Sequence, residues 1–143
     1  IENADLTKKL TKITANNMTL INTEDNNQGL VREAVYIKEK SYFNINNSIV
    51  DGFSSCVLLE NKIGAFPANL AKINIQGIQV NRCGGVVLSE SPNYNSELSN
   101  WYNTDTFSLE LTKFNSAELF IQPDVKNAPD LRVKSTNTLA SLK

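Results

Sequence analysis

The chain has 143 residues, of which 41% are hydrophobic and 8% aromatic. That length fits a single domain over residues 1–143 that buries about two-thirds of the surface its unfolded form exposes. Fourteen Lys and Arg stand against 15 Asp and Glu. No basic run exceeds Lys8-Lys9, which excludes the clustered cations that nucleic-acid or anionic-membrane binding requires. There is no histidine, so neither a Ser-His-Asp or Cys-His nucleophile nor a His-ligated metal can be built.

The first twenty residues read as an amphipathic helix. Leu6, Leu10 and Ile13 recur at helical spacing ahead of Leu20-Ile21, with Lys8, Lys9 and Lys12 on the other side. A polar loop follows from Asn22 to Gly29. From Val31 the period shortens towards two, and Val31–Ile37 and Ser41–Ile45 read as strands. After the Asp51-Gly52 turn, Ser54 is placed to cap a short helix to Ile63, with Gly64 ending it. Lys72–Asn81 reads as a β-hairpin, since Ile73 and Ile75, then Ile78 and Val80, alternate with polar residues on either side of Gly77. Ser89–Thr106 is a long polar loop, and Phe107, Leu109 and Leu111 alternate as a strand. Leu119–Ile121 is its expected hairpin partner and Leu131–Val133 a last short strand. No internal repeat is apparent. The resulting fold class is α+β, an N-terminal helix packed on an antiparallel sheet with a second helix near 54–63.

Cys56 and Cys83 can be a disulfide, two buried thiols or half of a metal site. The absence of a second Cys pair argues against metal, and an uncharged polar surface rich in Asn, Ser and Thr favours the bridge. The doublets Asn16-Asn17, Asn26-Asn27 and Asn46-Asn47 stand out, and Asn17-Met18-Thr19 and Asn46-Asn47-Ser48 match the N-glycosylation pattern. Glu24, Asp25, Glu33, Glu60, Glu90, Glu97 and Asp105 are scattered as a solvated surface would be, so no enzyme, cofactor or metal is expected. Tyr94, Trp101 and Tyr102 form a candidate binding platform in the polar loop, because aromatic rings stack on sugars and on partner side chains. No apolar run exceeds four residues, too short to span a bilayer. The start at Ile1-Glu2 is read as that of a processed chain, from which a targeting or membrane segment could have been removed.

Three stretches carry a family resemblance. Tyr42-Phe43-Asn44-Ile45, Val50 through Leu59 with its Asp51-Gly52 turn and Cys56, and Phe66 followed by Ala71 through Gly77 together resemble the centre of type IVb pilins. The resemblance implies that Ile1–Ile21 is the lower half of the long pilin helix. It also implies that Cys56 and Cys83 are the family's disulfide, and it brings no catalytic residues. The early position of Cys83 points to a minor pilin. The expected function is then a structural subunit of an extracellular filament, acting in pilus assembly or adhesion, with other pilin subunits or cell-surface proteins as partners. Membrane contact would come only through a missing N-terminal segment. The alternative is a free-standing secreted β-rich binding module, adhesin- or lectin-like.

Overall fold

The computed structural model describes residues 10–22, 32–102, 109–110, 116–123 and 128–135. Ten strands dominate them: β1 (Thr11–Asn16), β2 (Thr19–Ile21), β3 (Glu33–Ile37), β4 (Ser41–Asp51), β5 (Ser55–Leu59), β6 (Ile73–Asn81), β7 (Val87–Ser89), β8 (Leu109–Glu110), β9 (Phe120–Gln122) and β10 (Asp130–Val133). Their helices are short: α1 (Pro67–Leu70), a 3-10 turn at Pro92–Tyr94, α2 (Asn95–Tyr102) and α3 (Ser116–Leu119).

The pairing is parallel where an antiparallel sheet was expected. One sheet runs β1–β4–β6–β8 with β2 also on β4, and a second runs β3–β5–β7. Every neighbouring pair in these two sheets is parallel. Most of the register steps by thirty residues: Thr11 lies opposite Ser41, Phe43 opposite Ile73, and Val57 opposite Val87, while the steps from Glu33 to Ser55 and from Ile78 to Leu109 are 22 and 31. The chain therefore winds as a solenoid, each rung giving one strand segment to each sheet and stacking on the rung before. The internal repeat not apparent from the sequence is this thirty-residue rung.

The core lies between the sheets. Phe43, Ile45, Val50, Ile73, Ile75, Ile78 and Val80 enter it from the first sheet, and Ile37, Val57, Leu59 and Val87 from the second. Stacking puts like on like, so Ile45 sits on Ile75 and Val50 on Val80. Burying each such side chain contributes about 1.5–3 kcal/mol.

Left-handed residues make the bends. Asn17, Asn47 and Gly77 have φ of 55°, 48° and 59° at the same point in successive rungs, and Gly52 and Arg82 share a second point with φ of 85° and 48°. Asn and Gly are the residues that adopt this region at least cost. At Gly77 the bend reverses the in–out alternation within one continuous strand. The expected Lys72–Asn81 hairpin is thus corrected: Ile73–Asn81 pairs with β4 on one side and β8 on the other, not with itself.

The two expected helices are also overturned. Thr11–Asn16 and Thr19–Ile21 are strands on β4, which leaves Leu10 and Ile13 38% and 37% exposed. Leu6 lies outside the described residues. Ser55–Leu59 is a strand where a helix to Ile63 was expected, because it is flanked by a parallel neighbour on each side. A nearly continuous apolar segment such as Cys56–Leu59 is what a strand inside a parallel sheet requires. β8 joins β6 in parallel, and the expected partner near Leu119–Ile121 pairs instead with β10 as an antiparallel hairpin.

Candidate functional site

Two kinds of connection link the sheets, and they differ in how their lengths change. From the second sheet back to the first, β3 is separated from β4, β5 from β6 and β7 from β8 by three, thirteen and nineteen residues of sequence. The longer two carry Phe66, Tyr94, Trp101 and Tyr102. Phe66 is 55% exposed, the most of any large hydrophobic residue described. Its ring packs on Tyr94 of the next connection with centroids 6.1 Å apart and planes tilted by 58°. Gly64 makes the approach possible, since a Cβ there would lie 2.9 Å from the Phe66 ring and 3.3 Å from that of Tyr94.

Each connection is pinned by its own hydrogen bonds. Asn69 Nδ2 donates to the Ile63 carbonyl at 3.0 Å, ahead of the turn into α1. Asn95 Oδ1 accepts from the Ser89 amide at 2.9 Å, which fixes the start of α2 against the end of β7. Leu98, fully buried, anchors α2 in the core. Trp101 and Tyr102 are half-buried and pack against that core. Of the predicted platform, Tyr94 meets the Phe66 ring, while Trp101 and Tyr102 belong to α2; all three are half-buried and pack against the core. Phe66 had no signal as a site residue, because its partner Tyr94 is twenty-eight positions away and only the coil brings them together.

Two of the acidic residues occupy matching places at the end of the second sheet. Glu60 Oε2 accepts from the Glu39 amide at 2.8 Å, and Glu90 Oε2 accepts from the Asn61 amide at 3.0 Å. Each carboxylate thus reaches back to the connection of the preceding rung. Glu90 Oε1 also accepts from the Tyr36 hydroxyl at 2.7 Å. That bond holds the Glu90 carboxyl below its usual range and pushes the Tyr36 phenol up to about 12. Glu24, Asp25 and Asp105 lie outside the described residues. Among the described residues no three His, Cys, Asp or Glu side chains cluster as metal ligands.

The outer face of the first sheet carries polar ladders. Asn46 Nδ2 donates to Asn16 Oδ1 at 2.9 Å, and Asn44 Nδ2 to Thr14 Oγ1 at 3.3 Å. The Asn16-Asn17 and Asn46-Asn47 doublets are consequently ladder residue plus bend residue, repeated in consecutive rungs. At the second bend the buried Asp51 carboxylate accepts from Arg82 Nε at 2.8 Å, from Arg82 Nη2 at 2.9 Å and from Asn81 Nδ2 at 3.0 Å. Beside this cluster Cys56 and Cys83 meet as thiols, their sulfurs 3.4 Å apart.

No protein family, curated protein or solved structure compared with this chain matches it.

Proposed function

We propose that this chain is a non-catalytic binding module of a cell-surface or secreted protein, in which the solenoid is a frame and the long connections present the contact surface. The observation that carries the reading is the contact of exposed Phe66 with half-buried Tyr94 across two consecutive long connections, each tied down by its own hydrogen bonds. Rigid aromatic rings give large contact area at small entropic cost, on a protein or a glycan partner, and the Tyr94 hydroxyl adds a polar handle. The engagement of Glu60 and Glu90 with backbone amides supports a structural role for these carboxylates. The filament-subunit reading depended on an N-terminal helix. Residues 11–16 and 19–21 are strands, so the binding-module reading is the one favoured here.

The test is a binding screen of the purified chain against immobilised glycans and extracellular matrix proteins. Any ligand found should lose at least tenfold affinity with Phe66→Ala and with Tyr94→Ala, while Tyr42→Ala, on the outer face of the first sheet, leaves it unchanged. A ligand indifferent to both ring deletions would sink the assignment of this surface.

A further inference from the structure

Cys56 and Cys83 belong to different rungs. Cys56 lies in β5 and is 1% exposed, whereas Cys83 lies in the connection between β6 and β7 and is partly open to solvent. The connection bearing Cys83 is held over the earlier one, with the Gly84 amide donating to the Phe53 carbonyl at 3.2 Å. Gly84 is required there, because a Cβ would stand 2.7 Å from the Ser54 carbonyl oxygen. The two sulfurs are therefore brought within reach by the backbone on either side of them.

The reduced pair is itself satisfied. Cys56 donates its S–H to Cys83 Sγ, and Cys83 donates to the Asn81 carbonyl, each at 3.4 Å. The Asn81 carbonyl is held in turn by the Gly52 amide at 3.1 Å. The neighbours also make the two sulfurs unequal. Donation from Cys56 lowers Cys83 to about 7, and the same bond together with burial pushes Cys56 up. Asp51 lies close enough to Cys83 to oppose its ionisation, and Arg82 offsets that charge by pairing with Asp51.

We propose that Cys83 and Cys56 form a reversible thiol–disulfide couple linking the second and third rungs, in which Cys83 exchanges with a low-molecular-weight disulfide and Cys56 resolves the product. With oxidised glutathione as oxidant, the Cys83 thiolate attacks one glutathione sulfur. The glutathione S–S bond breaks, a mixed disulfide forms on Cys83, and one glutathione leaves and takes up a proton. Cys56 then loses its proton and attacks Cys83 Sγ, and the second glutathione leaves as a thiol. Two protein thiols are oxidised, one glutathione disulfide is reduced to two thiols, and the two protein protons end on the products. The bridge closes a span of 27 residues.

The experiment equilibrates the full chain in glutathione buffers from reducing to oxidising, quenches with an alkylating agent, and counts labels by intact mass. Two labels should give way to none at an intermediate ratio and return on reversal. The oxidised form should melt roughly 5–10 °C higher. Brief alkylation of the native reduced chain, followed by peptide mapping, should label Cys83 at least tenfold faster than Cys56. Cys56→Ser should accumulate a glutathione adduct on Cys83, and Cys83→Ser should not accumulate one on Cys56. Retention of both labels in the most oxidising buffer overturns the couple, as does a bridge that survives the most reducing one. Faster labelling of Cys56 overturns the assigned roles even if a serine variant fails to fold.

Discussion

Tyr36 shows how one contact sets the behaviour of a single side chain. Its hydroxyl donates to Glu90, which favours the protonated phenol and raises it from 10.0 to about 12. A raised acid contributes stability that is fully present below the unfolded-state value and lost as pH climbs through the folded one. Of the four tyrosines, one should therefore ionise near pH 12 in an ultraviolet titration, and Glu90→Gln should return it towards 10. Glu90 works in the opposite sense: its depressed carboxyl supports the fold above the ordinary carboxylate range, and that support fades as pH falls through the folded value. Arg82 is a second test at this scale. Arg82→Met strands the buried Asp51 carboxylate with Asn81 as its remaining side-chain donor among the bonds described above, and should cost about 3 kcal/mol in urea unfolding.

Among the elements, β6 carries the clearest lesson about what a sequence discloses. A hairpin turn and a solenoid bend both need positive φ, so Gly77 between two alternating apolar pairs reads equally well as either. Recurrence separates them: Asn17, Asn47 and Gly77 fall at equal intervals, as do the ladder residues Asn16, Asn46 and Gln76. Strands within Val31–Ile37 and from Ser41 were legible from a shortened period with β-branched and aromatic residues, and a last short strand was expected at Leu131–Val133, inside the observed Asp130–Val133. The first helix was not, because Leu10 and Ile13 match helical spacing while Ile13 and Ala15 also match a strand's inward face. Of the site, Tyr94 was legible as an aromatic residue in a long polar connection, whereas Phe66 becomes visible only once the rungs are stacked. The bend predicts an order of tolerance. Gly77→Asn should cost about 1 kcal/mol, since two other rungs use Asn there and the nearest obstacle to a Cβ is the movable Asn47 side chain at 2.7 Å. Gly77→Val should cost at least 2 kcal/mol by the same unfolding assay, because a β-branched residue is a severe outlier at positive φ.

In the whole molecule, protection should follow position in the stack. β4 and β5 have a parallel neighbour on both sides, whereas β1 and β3 lie at the ends of their sheets among the described residues. Amide hydrogen exchange should be slowest in β4, β5 and β6 and at least tenfold faster in β1 and β3. Exchange that is uniform along the chain, or slowest in β1, would contradict stacking as the source of stability.

The step between β3 and β5 is 22 residues, whereas that between β5 and β7 is 30. Eleven residues separate β2 from β3 in sequence, eight more than the three that separate β4 from β5. Both sheets nevertheless keep register through that rung. The number of residues between strands is thus decoupled from the register of the frame, and foreign sequence can be grafted between strands without re-engineering the walls. An eight-residue Gly/Ser segment placed after Lys62, an exposed position in the 60–72 connection, should cost under about 1 kcal/mol, because closing a longer loop adds entropy only logarithmically. The molecule then serves as a display scaffold, on which epitopes or binding loops are exchanged rung by rung.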